Sequence, residues 1–132
     1  MMQNIDQLRA RIAFQFVSEK VSSQNEKEKF LRIAQKLPVM LQTNGLLATW
    51  AFIVKNIENE VGKELTGTVL LDYLKIEFSF IDKHFDPKDF FQSYLVNEKL
   101  TSMDLWNLTE ETIKFSIWLK RAAETYCEVK NE

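Results

Sequence analysis

The stretch Leu37-Pro38-Val39-Met40-Leu41-Gln42-Thr43-Asn44-Gly45-Leu46-Leu47-Ala48-Thr49-Trp50-Ala51-Phe52 decides how this chain folds. Pro38 has no backbone N–H to donate and pushes Leu37 out of the α region, so a helix arriving from Phe30 is expected to kink or end there. Asn44-Gly45 then supplies a left-handed corner. Beyond it, Leu46 to Val54 leave only Thr49 polar before Lys55, the pattern of a helix covered on all sides. Leu47, Trp50, Phe52 and Val54 are therefore expected to be buried at the centre of the molecule.

The rest of the chain has to be built around that helix. Its 132 residues are 45% hydrophobic, with only 3 Gly and 2 Pro, enough for one sizeable core but too little turn chemistry for many short strands. An all-α fold is expected, residues 1–132 forming a single compact helical bundle. No uninterrupted apolar run approaches the roughly 20 residues of a bilayer span. The start, Met1-Met2-Gln3-Asn4-Ile5-Asp6, has neither the basic flank nor the apolar core of a signal peptide, so a cytoplasmic protein with no membrane partner is expected.

Net charge is −2, which argues against a protein that coats nucleic acid nonspecifically, but the charge is unevenly spread. Residues 1–56 carry eight basic against four acidic groups, a net of +4, whereas residues 57–106 carry five against ten, a net of −5. The last 26 residues carry four against five, a net of −1. The first part suits a polyanion, and the middle suits solvent or a basic partner protein.

Apolar spacing gives the elements. Ile5, Leu8, Ile12 and Phe16 recur every three or four residues, so residues 4–22 read as an amphipathic helix. Ser22-Ser23-Gln24-Asn25 offers caps for a second helix, with Glu26 and Glu28 in its first turn. Its core face is Phe30, Ile33, Ala34, Leu37 and Leu41. Lys29, Arg32 and Lys36 fall at i, i+3 and i+7 on a separate stripe about 120° away.

After a break at Gly62, Leu65, Val69, Tyr73, Leu74, Phe78 and Ile81 fit a further helix, although Ile76-Glu77-Phe78-Ser79-Phe80 also alternates as a strand does. Asp86-Pro87 with Asp89 starts another over Phe90, Phe91, Tyr94 and Leu95. A short helix around Ser102 to Trp106 follows, and Thr109-Glu110-Glu111 caps the last, whose face is Phe115, Trp118, Leu119, Ala122 and Tyr126. The total is six or seven helices. Residues 1–3 and 129–132 have few apolar partners and are expected to fray.

Enzymatic chemistry finds little support. A metal site or an activated nucleophile draws mostly on His and Cys, and the chain has only His84, in the polar stretch Asp82-Lys83-His84-Phe85-Asp86, and Cys127. Glu58, Glu60 and Glu64 sit beside the Gly62 break and not on a continuous buried face. Gly45, Gly62 and Gly67 form no phosphate loop. No catalytic residue, metal or cofactor is expected. Trp50 and Trp118 lie on apolar faces and read as core. The stripe Lys29, Arg32 and Lys36, and the pair Lys114 and Arg121 seven apart on the last helix, suit either solvent or phosphate.

Two segments resemble a known family. Leu108-Thr109-Glu110-Glu111 leading to Trp118-Leu119-Lys120-Arg121-Ala122-Ala123-Glu124 resembles the C-terminal signature of the small helical subunit of the Cmr complex, the type III-B CRISPR effector. Leu37-Pro38, Asn44-Gly45-Leu46-Leu47 and Ala51-Phe52 resemble that family's other segment, in the family's order and at about its separation. Residues 57–103 carry no matching motif. The chain departs at Leu105-Trp106, where the family pattern has an aromatic followed by a basic residue, so the cation of that pattern is missing.

The resemblance implies a noncatalytic subunit of a ribonucleoprotein for antiviral defence. Such subunits associate with copies of themselves beside the backbone and large subunits, line the path of guide RNA and target RNA, and leave cleavage to others. On this reading Pro38, Asn44, Gly45, Trp50 and Trp118 are structural parts of the motifs, and Lys29, Arg32, Lys36, Lys114 and Arg121 are candidates for RNA backbone contact. The alternative is a helical protein–protein adaptor that never meets RNA and docks its basic stripe on an acidic partner.

Overall fold

In a computed structural model of the chain, which describes residues 4–128, capping side chains set where most helices begin. Asn4 accepts from the Asp6 N–H and opens α1 (Ile5–Lys20). Ser23 accepts from the Glu26 N–H while Glu26 reaches back, a reciprocal box that opens α2 (Gln24–Val54). A single 3₁₀ turn (Ile57–Asn59) leads to α3 (Val61–Glu77). Asp86 and Asp89 form another such box around Pro87 and open α4 (Pro87–Asp89), which runs directly into a π-helical segment (Phe90–Leu95). Thr101 accepts from the Asp104 N–H and opens α5 (Ser102–Cys127). The termini expected to fray lie outside the described residues.

All described regular structure is helical, but there are five α-helices, not six or seven. The expected short helix at 102–106 is the first part of α5. Thr109-Glu110-Glu111 does not cap a new helix, because the Thr109 hydroxyl donates a hydrogen bond to the Leu105 carbonyl 2.7 Å away and the residue stays inside. The break between α2 and α3 is also elsewhere. Asn56 makes it, in the left-handed region at φ 57°, while Gly62 sits in the first turn of α3. Residues 76–80 form no strand: α3 ends at Glu77, and Ile81 is buried from the following loop.

Pro38 does not end α2, whose bend comes at Gly45. Leu37 and Leu41, 0% and 1% exposed, press the helix into the core on both sides of the proline, and that packing outweighs one missing hydrogen bond. Gly45 adopts φ 84°, ψ 171°, an extended mirror-image conformation that is essentially glycine-only, and not the expected left-handed helical corner.

α2 runs through the middle, packed by α3 and α5, with α1 lying mainly on α5. The buried apolar residues form a single cluster, with Trp50, Tyr73, Phe30, Phe90 and Phe115 as its largest fully enclosed side chains. By length and composition α2 is long and apolar enough to cross a membrane, which no uninterrupted run in the sequence suggests. Here its buried face, from Phe30 to Ile53, belongs to the core.

The part of α2 beyond Gly45 corrects a second expectation. Leu46, Trp50 and Ile53 are buried, but Leu47 is 40% and Phe52 38% exposed, and Ala48 and Ala51 are exposed beside them. Val54 is half-buried. An apolar helix surface does not specify whether its cover comes from the same chain, and here one stripe has none.

Candidate nucleic-acid interface

Lys29, Arg32 and Lys36 all project from the exposed face of α2, as their spacing requires. They line one wall of a depression of about 490 Å³, whose opposite wall is Asn59, Glu60 and the first turn of α3. Gly62 brings the walls together. A Cβ there would lie 2.6 Å from the Lys29 carbonyl oxygen, so only glycine lets α3 start this close to α2. The partial positive charge of the α3 N-terminus also falls on this depression. None of the three cations takes part in an ion pair among the described residues, whereas Arg9, Lys20 and Lys63 do.

Two further side chains complete the depression, and neither was among the candidates read from the sequence. Lys63 is 6% exposed; its Nζ donates to the Lys55 carbonyl at 2.9 Å, pairs with Glu60 at 3.0 Å and lies 4.5 Å from the centre of the Phe52 ring. Phe52 lines the depression with that cation against it. A signal for Phe52 was present: two helical positions from Trp50 is about 200° around the axis, so both rings cannot face one core.

Lys114 and Arg121 lie elsewhere. They line a groove of about 410 Å³ between the start of α1 and the middle of α5, with Asp6 and Trp118. Trp118 is half-buried and not core; Arg121 lies over its ring at 4.7 Å, and its Nε1 points at Asp6 Oδ1 from 3.5 Å. Arg121 also shares a smaller depression with Pro38 and Lys120, so the two basic groups sit on packed neighbours, α2 and α5, each with its own recess.

The motif acid Glu111 has a structural task. It accepts from Arg9 Nε at 2.7 Å and Nη2 at 2.9 Å, and from the Tyr73 hydroxyl, joining α1, α3 and α5. Burial opposes ionisation of Glu111, but the Arg9 and Tyr73 hydrogen bonds outweigh it and hold the carboxyl below its usual range. Burial, followed by Glu111 itself, pushes the Tyr73 phenol well up. Tyr73 also stacks on Phe115, ring centres 3.9 Å apart. Arg9, 5% exposed, is thereby committed to the interior.

The other motif residues are also placed. Trp50 is fully buried, donates from Nε1 to the Pro87 carbonyl at 2.8 Å and meets Phe90 edge-on at 5.1 Å. Asn44 is exposed at the bend, beside Gly45. His84 stands in a turn, where its N–H donates to Asp82 Oδ1 at 2.8 Å. Cys127 is buried, which pushes its thiol pKa up. Among the described residues no three His, Cys, Asp or Glu side chains are grouped to hold a metal ion.

Compared with known protein families, residues 5–126 match the family model described as CRISPR-associated protein (Cas_Cmr5).

Proposed function

Because the chain belongs to the Cas_Cmr5 family, the small subunit of the type III-B CRISPR (Cmr) complex, we propose that it is a noncatalytic, cytoplasmic subunit that holds RNA backbone along the guide and target path. One observation carries the RNA contact: Lys29, Arg32 and Lys36 stand exposed and in line on one helix, without carboxylate partners among the described residues. Cations so placed attract phosphates whatever the sequence, which suits a target that changes with every guide. Base pairing then does the reading.

Partners in the complex are the backbone and large subunits and further copies of this chain. The uncovered residues Leu47, Ala48 and Ala51 support protein contact beside the basic wall, and the acidic 57–106 segment suits a basic neighbour. Alone, the chain binds RNA weakly, since a few phosphate contacts on a slightly acidic protein fall in the nonspecific range of about 10⁻⁴ to 10⁻⁶ M. Assembly raises the effective concentration. The test replaces Lys29, Arg32 and Lys36 together by Ala and measures target affinity of the assembled complex over several unrelated guides. An equal loss for all of them supports backbone contact. A particle that omits the variant chain yet binds RNA normally assigns the stripe to a protein interface.

A further inference from the structure

We infer that the depression between α2 and α3 is a site for one unpaired RNA nucleotide, its base stacked on the open face of Phe52 and its phosphate among Lys29, Arg32 and Lys36. The inference rests on the RNA reading above and adds a base contact that a backbone-directed surface does not require.

The first ground is the exposure of Phe52. Its helix neighbours Trp50 and Ile53 are fully enclosed, but Phe52 is 38% exposed and lines a recess walled by cations. Charge for the backbone with an aromatic ring for the base is the pairing by which single-strand binders work. The second ground is the way the ring is held. Lys63 lies over the ring at 4.5 Å and is itself held by the Lys55 carbonyl and Glu60, a contact that restrains the ring before any ligand arrives. Ordering it on binding therefore costs little.

The recess also fits chemically. Its volume of about 490 Å³ lies in the range of small-ligand sites. Asn25 and Asn59 at its rim both donate and accept, which suits a base edge without selecting one base. The acid in its lining, Glu60, is neutralised by Lys63 at 3.0 Å and does not repel a phosphate. A base inside a duplex is stacked on both sides and offers no free face, so the recess selects unpaired nucleotides.

The test uses the assembled complex and single-stranded RNA carrying 5-iodouridine, which cross-links on irradiation to an aromatic ring stacked upon it. The cross-linked peptide is expected to contain Phe52. Phe52→Leu, which keeps an apolar side chain at this half-open position, should abolish that cross-link, weaken single-stranded RNA binding at least about fivefold and leave duplex RNA unaffected. Phe52→Tyr should restore both. Cross-links confined to other peptides, or unchanged binding by Phe52→Leu, overturn the inference; so does failure of Phe52→Leu to enter the complex, which assigns the ring to a protein contact. If the triple Ala variant at Lys29, Arg32 and Lys36 loses RNA while Phe52→Leu does not, backbone contact stands and stacking falls. If neither variant changes RNA binding, both fall.

Discussion

Arg9 and Glu111 meet through two hydrogen bonds, 2.7 and 2.9 Å long, that tie α1 to the middle of α5 across 102 positions of sequence. With Arg9 at 5% and the Glu111 side chain at 15% exposure, removing Arg9 leaves a partly buried carboxylate without its cation, and removing Glu111 leaves the buried guanidinium only the exposed Asp6, 2.9 Å from Nη1. Arg9→Met or Glu111→Ala is expected to cost about 3–5 kcal/mol, measured by denaturant unfolding. A loss under about 1 kcal/mol would mean that water reaches the pair as it reaches surface ion pairs.

The same pair gives the acid response. The Glu111 carboxyl is held below its unfolded value of 4.5, so its stabilisation is complete above that pH and drains as pH falls through the folded pKa. Glu77, raised by burial and then by Glu111, acts oppositely: its contribution is present below 4.5 and is lost as pH rises through its folded pKa. Glu111→Gln should therefore flatten the melting-temperature profile on the acid side of pH 4.5. An unchanged acid slope would remove Glu111 from the account.

Two glycines should fail differently when given a side chain. Gly45→Ala meets nothing within 4 Å, so its cost is backbone strain alone, about 1–3 kcal/mol, with the basic wall intact. Gly62→Ala drives a methyl group onto the Lys29 carbonyl and should both destabilise by about 1–3 kcal/mol and weaken RNA binding, because the wall carrying Lys29 must shift. Equal RNA binding by the two variants would separate Gly62 from the site.

Thr49 offers a substitution that should not destabilise. Thr66, Thr109, Thr112 and Thr125 each donate to the carbonyl four residues earlier, whereas the Thr49 hydroxyl, 1% exposed, has no partner among the described residues. The residue four before it is Gly45, whose non-helical backbone interrupts that pattern. Thr49→Val removes an unsatisfied group and keeps the shape, so stability should stay level or rise by about 1 kcal/mol in denaturant melts. A clear loss would reveal a partner for the hydroxyl.

What was legible in the sequence was local. The boxes at Ser23 and Asp86 act within three residues, and the stripe Lys29, Arg32 and Lys36 follows from helical geometry alone. Thr109-Glu110-Glu111 misled because a threonine that caps a helix also fits inside one by bonding back along it. Glu111's partner is too distant in sequence to leave a pattern. The unbroken apolarity from Leu46 to Val54 hid the uncovered stripe, since hydrophobicity shows that a surface avoids water and not which chain covers it.

The most direct test of backbone contact is the salt dependence of RNA affinity, compared between complexes carrying the parent chain and the Lys29, Arg32, Lys36 triple Ala variant. Between about 50 and 200 mM salt, each phosphate contact to single-stranded RNA contributes about 0.7 to the log–log slope. The expected slope is shallower by about 2 in the variant, with helicity and subunit content unchanged. Identical slopes and affinities in two fully assembled complexes would contradict it.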